Sequence, residues 1–249
     1  MPSYDLLING LKVNAFYSDS SINDIFLPLL RRLTRLQKEA QRRIAVFLAA
    51  PPGAGKSTLV AFLEQLSKER EDLVPIQTLG MDGFHHYQDF LLSHYAERDG
   101  VSIPMVKIKG SPITFDLEAL EKRIKDVAEG KRCGWPIYDR TIHNPIDNAI
   151  TVDAGIVLIE GNYLLLDEPG WRDLSKYAEY TIFVTADETM LRTRLIQRRV
   201  QTGVDLEEAT RFVDRSDMNN LRLVLNHSLA ADLSLELDET NEYRLKSPK

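Results

Sequence analysis

The chain is poor in cysteine, in long apolar runs and in blocks of one charge. Its 249 residues include one cysteine, Cys133, which excludes an internal disulfide and any Cys-rich metal site. That usage fits a reducing compartment, and the expected location is cytoplasmic. No apolar stretch approaches the roughly 18 residues of a membrane span. The opening Met1-Pro2-Ser3-Tyr4-Asp5 lacks the basic-then-apolar order of a signal peptide. Net charge is −6 with a pI near 5.5, and no Lys/Arg block is long enough to track a polyanion, so neither nucleic acid nor a membrane surface is an expected partner. The five histidines form no ligand pattern with Cys or Glu, and a structural zinc is not expected. What remains is ordinary for a globular protein. Apolar residues make up 43% and charged residues 27%, and the length suits one α/β domain or one domain with a modest extension.

The most informative segment is Ala50-Pro51-Pro52-Gly53-Ala54-Gly55-Lys56-Ser57, followed by Thr58. It has the spacing of a P-loop, with Ala50 at the first position in place of glycine. A glycine-rich turn opening a helix aims backbone N–H groups at phosphate oxygens. The lysine then reaches the β/γ-phosphates and the serine hydroxyl ligates Mg²⁺. Residues 52–58 are therefore the expected ATP site. The context agrees: residues 43–49 are an apolar, strand-like run, and Leu59, Phe62, Leu63 and Leu66 follow at helical spacing.

Alternation of strands and helices predicts a mostly parallel, doubly wound sheet. Strands are expected at 43–49, 74–79, 154–159 and 180–184, with an edge strand at 233–237. Helices are expected at 57–69, after Asp116 until Gly130, from Asp187 to about Gln201, and from a capping box at Asp205/Glu208 through Phe212. Ahead of this core, residues 4–17 read as a hairpin turning at Asn9-Gly10. Ser21 is placed to cap a helix with Lys38, Arg42 and Arg43 in its last turns. The expected organisation is an N-terminal extension (1–42), a P-loop domain (43–240) and a frayed tail (241–249). Oligomeric state, monomer or homodimer, is left open.

Four further constellations bear on chemistry. Asp82 closes a strand where ligands of open α/β sheets bind, so its carboxylate can face the γ-phosphate and accept a proton from a hydroxyl; Asp-Gly is also a common turn pair. Glu160 closes an apolar strand and is positioned to ligate Mg²⁺ or its water, or else to turn to solvent. Pro136-Ile137-Tyr138-Asp139-Arg140-Thr141-Ile142-His143 gathers groups able to hydrogen-bond a polyhydroxylated acceptor, although a loop with internally satisfied polar groups reads the same. Arg192, Arg194, Arg198 and Arg199 offer guanidinium groups that can stabilise transition-state charge, or a solvated basic helix face.

Together these segments resemble the P-loop kinases of the uridine kinase, pantothenate kinase and phosphoribulokinase family. The likeness is carried by the P-loop, by Asp82-Gly83-Phe84-His85, by Lys109-Gly110-Ser111-Pro112-Ile113-Thr114-Phe115-Asp116, by Pro136-Ile137-Tyr138-Asp139 with His143, by Ile159-Glu160-Gly161-Asn162-Tyr163, and by the Arg194/Arg198/Arg199 helix. It is nearest to a bacterial nucleoside/sugar-kinase-like subgroup, some members of which are labelled fructose transport system kinases. The resemblance implies a P-loop NTPase fold with an Arg-bearing lid, and transfer of the ATP γ-phosphate, with Mg²⁺, to a hydroxyl of a small metabolite. It implies Asp82 as general base, Lys56 and Ser57 as phosphate and metal residues, Glu160 as a metal-assisting residue, and Arg194 and Arg198 as lid arginines. It implies that His85, Tyr138, Arg140 and His143 face the acceptor. Where uridine kinases carry an arginine two residues after the histidine, this chain has Pro145, a departure from the uridine-binding pattern. The alternatives are an ATP-binding regulatory protein or a GTPase-like switch, the latter without the Asn-Lys-x-Asp run that reads guanine.

Overall fold

The computed structural model describes residues 3–8, 11–98 and 100–246. Two antiparallel strands, β1 (Ser3–Ile8) and β2 (Leu11–Phe16), open the chain; the expected Asn9-Gly10 turn lies outside the described residues. A π-helical turn at 21–26 leads into α1 (Leu27–Ala40). Next come β3 (Ile44–Ala49), α2 (Lys56–Lys68), β4 (Ile76–Gly80), a 3₁₀ turn at 81–84, the short α3 (Gln88–Ser93) and a small hairpin, β5 (Tyr95–Arg98) with β6 (Val101–Pro104). α4 (Leu117–Ala128) precedes a second hairpin, β7 (Cys133–Asp139) with β8 (Asn144–Val152). The chain finishes with β9 (Ile156–Gly161), β10 (Tyr180–Ala186), α5 (Glu188–Gln201), α6 (Leu206–Phe212), α7 (Met218–Asn226), β11 (Leu233–Leu237) and β12 (Tyr243–Leu245).

Six strands form the central sheet in the order β12-β11-β10-β3-β9-β4, parallel throughout except for β12. Every residue of β3 is buried, because helices cover both faces. Ile44, Val46 and Leu48 pack with Leu59, Phe62 and Leu63 of α2, whereas Ala45 and Phe47 pack with Leu120, Ile124 and Val127 of α4. That two-sided cover is why the strand reads as a continuous apolar run. No described helix is long and apolar enough to cross a membrane.

Several expectations are corrected. Ser18, not Ser21, caps the N-terminal helix: its Oγ accepts from Ser21 N at 3.0 Å, while the Ser21 hydroxyl donates to Glu242 Oε2 at 2.8 Å. α1 ends at Ala40 with Gln41 in a left-handed cap, so Arg42 and Arg43 lie beyond it; Arg43 instead donates to the carbonyls of Lys131, Val152 and Ala154. β11 is an inner strand, and the edge is β12, built from part of the tail expected to fray. The hairpins β5–β6 and β7–β8 form in stretches where no strand was expected.

Candidate active site

The P-loop leaves β3 and enters α2 through two glycines with positive φ, Gly53 at +86° and Gly55 at +75°, a backbone that residues with a Cβ adopt at a cost. The first backbone bond of the helix runs from Leu59 N to Gly55 O at 3.0 Å. The N–H groups of Lys56, Ser57 and Thr58 therefore have no intrahelical acceptor and point from a helix N-terminus, where anions are favoured. Ala54 N is engaged in a turn bond to Pro51 O at 3.3 Å, and Pro52 has no N–H to offer. Among the described residues, Lys56 Nζ makes no hydrogen bond or ion pair.

Parallel pairing brings the ends of β3, β9 and β4 side by side. Glu160, in register with Gly80, accepts from Ser57 Oγ at 2.7 Å. Asp82 follows in the 81–84 turn, its side chain 46% exposed toward the cleft and 3.7 Å from Arg140 Nη2. The two carboxyls differ electrostatically. The protein packed around its carboxyl would raise Asp82, but His85 in its protonated form and the charges of Lys56, Arg140 and Arg198 outweigh it and hold the group below the ordinary carboxylate value. Burial pushes Glu160 up, with the Asp82 charge acting in the same sense, against the pull of Lys56 and the Ser57 hydrogen bond. A carboxylate kept ionised beside one whose ionisation is costly is the arrangement expected of a base and a cation ligand, since a divalent ion offsets the second penalty.

A cavity of about 220 Å³ opens onto Ser57, Asp82 and Glu160. Tyr138 and Arg140, at the end of β7 and in the turn after it, line this cavity. His85 lies 5.2 Å from the Tyr138 ring and 3.9 Å from that of Phe115, centroid to centroid, with its Nδ1 2.9 Å from Asp82 O; burial pushes the imidazole down. His143 stands apart: its residue is exposed, at φ +54°, in the turn of the hairpin, and its ring does not line the cavity. Only its carbonyl takes part, accepting from Lys109 Nζ at 3.2 Å. Lys109 was not singled out from sequence, yet its ammonium sits 4.9 Å over the Tyr138 ring and donates to Gln88 Oε1 at 2.8 Å. The only signal for it was its place in the Lys109–Asp116 segment.

A second cavity, of about 440 Å³, lies on the other side of the P-loop and is lined by Gly55, Thr58 and Arg194, with Tyr17 and Tyr243. α5 carries the arginines and packs on the P-loop so closely that a Cβ at Gly53 would be 3.2 Å from Leu191 O. Arg192 is held by a bidentate pair to Asp214 at 2.6 and 2.8 Å, and Arg199 by Asp217 at 3.2 Å and the Phe212 ring. Arg194 donates to Asn241 Oδ1 at 2.6 Å at the second cavity, and the charge of Arg198 reaches Asp82. Thus two of the four arginines are structural ties, while Arg194 lines the second cavity and the charge of Arg198 is felt at Asp82.

Comparison with known proteins points the same way. The model of the phosphoribulokinase / uridine kinase family matches residues 44–241. The chain is 41% identical over 244 residues to the uncharacterised protein YggC of Escherichia coli, covering 98% of this chain and 99% of that one. It is 31% identical over 228 residues to a candidate uridine kinase, C227.14, of Schizosaccharomyces pombe, covering 89% and 92%. Among solved structures, a candidate fructose transport system kinase of Silicibacter sp. TM1040 superposes with a TM-score of 0.72 at 30% identity, covering 82% of this chain and 98% of that one.

Proposed function

Since the chain belongs to the phosphoribulokinase / uridine kinase family, we propose that it transfers the γ-phosphate of ATP to a hydroxyl of a small metabolite bound in the cavity beside Asp82. The observation that carries this reading is the meeting of three strand ends: Ser57 hydrogen-bonded to Glu160, with the ionised Asp82 next to them at the mouth of the cavity. The site fits a nucleotide and its metal. The donors of Lys56, Ser57 and Thr58 lack helical acceptors, Lys56 has no partner among the described residues, and a serine hydroxyl faces a carboxylate that burial makes costly to ionise. Mg²⁺, when bound, supplies charge neutralisation at the phosphates, with Ser57 and Glu160 as the residues to hold it.

In this mechanism residues 53–58 grip the phosphates, and Lys56 neutralises charge on the transferred group. Arg198 adds positive charge from the Asp82 side. Arg194 lines the second cavity, which in this reading takes the base and ribose of ATP. Asp82 orients the acceptor hydroxyl and takes its proton, while Tyr138, His85 and Arg140 bound the acceptor. Most of the acceleration then comes from positioning and electrostatics.

A coupled ADP-release screen over nucleosides, pentoses, hexoses, glycerate and pantothenate tests the reading. ADP release that depends on one acceptor class is expected. ATP binding without release above background for any of them would point instead to a nucleotide-sensing protein. Lys56→Ala is expected to abolish turnover and weaken ATP binding; full activity would remove the P-loop assignment.

A further inference from the structure

The N-terminal hairpin lies outside the residues that the family model matches, which begin at 44, yet it reaches the cavity. β1 is fixed on α2, the helix that starts with Lys56 and Ser57. The Tyr4 ring meets Phe62 edge-on at 4.6 Å, and Tyr17, just past β2, stacks on Phe62 at 4.2 Å. Leu6, Ala15 and Tyr17 are buried in the same core cluster as Phe62. This mounting sets the end of β1 over the outer side of the cavity, where Leu7 and Ile8 join Val60, Ala61, Ile137 and Ile150. Leu7 keeps 70% of its surface exposed, although a hairpin that only needed to pack on α2 is free to carry a polar residue at that outward position.

The cavity is therefore two-sided. Ionisable and hydroxyl groups gather at the strand ends, and the opposite wall is aliphatic. Among the described residues Arg140 is the one cation lining it, and it is drawn to Asp82. A polyol would set hydroxyls against the aliphatic wall, where they lose water without gaining partners, a poor exchange. An anionic group on the acceptor would find the one cation that lines the cavity among the described residues already engaged.

We propose that Leu7 and Ile8 are specificity-determining residues of the acceptor site, and that they select an alcohol whose reactive hydroxyl is joined to an apolar flank, in preference to a sugar that is polar all round. This rests on the kinase reading above, and adds that a segment outside the family core decides which member of the acceptor class is used.

The test compares kcat and KM for uncharged branched hydroxy amides such as pantothenol with those for pentoses and hexoses, in wild type, Leu7→Asn, Ile8→Val and Leu92→Asn. Leu92 is 55% exposed and away from the cavity, and serves as the control. Apolar-flanked alcohols are expected to win in wild type and in Leu92→Asn. Leu7→Asn is expected to raise their KM roughly 10-fold, the effect of removing one apolar contact in a pocket, with kcat little changed and sugar KM unmoved. Ile8→Val keeps the aliphatic wall and is expected to shift the same KM in the same sense, by less. A wild type that prefers sugars, or a Leu7→Asn protein with the wild-type preference, overturns the inference and leaves the kinase reading standing. Absence of any phosphorylated acceptor, with ATP bound, removes both.

Discussion

Asp82 and Glu160 stand at the ends of adjacent strands, and their difference decides what each can do. Asp82 is held ionised by surrounding cations, so at neutral pH it is already the proton-accepting form. Its folded-state pKa is depressed, so this form is present above that value and is lost as pH falls through it. The acid limb of kcat/KM, which reports the free enzyme, is expected below the ordinary carboxylate range. Arg140→Met removes one of the cations that lower Asp82, and the limb should move to higher pH; a limb that stays in place would show that Arg140, 3.7 Å away, does not govern the carboxyl. Asp82→Asn should cut kcat by about 10²- to 10⁴-fold, the span of general acid–base contributions, while ATP affinity by calorimetry stays near wild type. Near-normal turnover in that variant would take Asp82 out of the mechanism.

The element that carries Asp82 is the 81–84 turn, and the β7–β8 hairpin packs directly on it. A Cβ at Gly83 would come within 2.2 Å of Pro136 O, a backbone atom that no rotamer change can move. Gly83→Ala should cost about 2 kcal/mol by overpacking and displace the turn. Thermal denaturation with acceptor kinetics checks this, and an alanine variant with wild-type Tm and KM would show that the hairpin yields. The same contact explains what could be read from sequence and what could not. The parallel strands were legible because residues 44–49 and 156–159 are apolar on both faces, and Asp116, Asp187 and Asp205 announce their helices by capping them. β7 was hidden because Pro136 interrupts it at a bulge between Trp135 and Ile137, where a proline argues against a strand, and β8 is too exposed to alternate cleanly. Ser18, Ser20 and Ser21 are all permitted caps, and only the tertiary partner of Ser21, Glu242, leaves the role to Ser18. In the site, the P-loop was legible because its spacing is local. The approach of Arg140 to Asp82, the seat of Lys109 over Tyr138 and the arrival of Leu7 at the cavity depend on contacts between distant segments, which no local pattern records.

At the scale of the molecule, the two ends of the chain are joined over the P-loop helix. Glu242 accepts from the hydroxyls of both Ser18 and Ser21, Ser21 is 1% exposed, and Tyr243 lies 5.3 Å from the Phe26 ring and 6.2 Å from that of Tyr17. These rings meet Phe62 on α2, so β12, the N-terminal hairpin and the phosphate-binding helix share one aromatic core. Removing the carboxylate by Glu242→Ala strands a buried hydroxyl and should cost about 2 kcal/mol, or a Tm loss of about 4–8 °C for a chain of this size. Tyr17→Ala empties the centre of the cluster and should cost about 3–5 kcal/mol. If the two ends act as one joint, the double variant will be less destabilised than the sum, because either change alone loosens the contact that the other also serves. Strict additivity, with amide exchange in 243–245 unaffected by Tyr17→Ala, would mean that the hairpin and the last strand are held independently, and that the wall over the acceptor cavity owes nothing to the C-terminus.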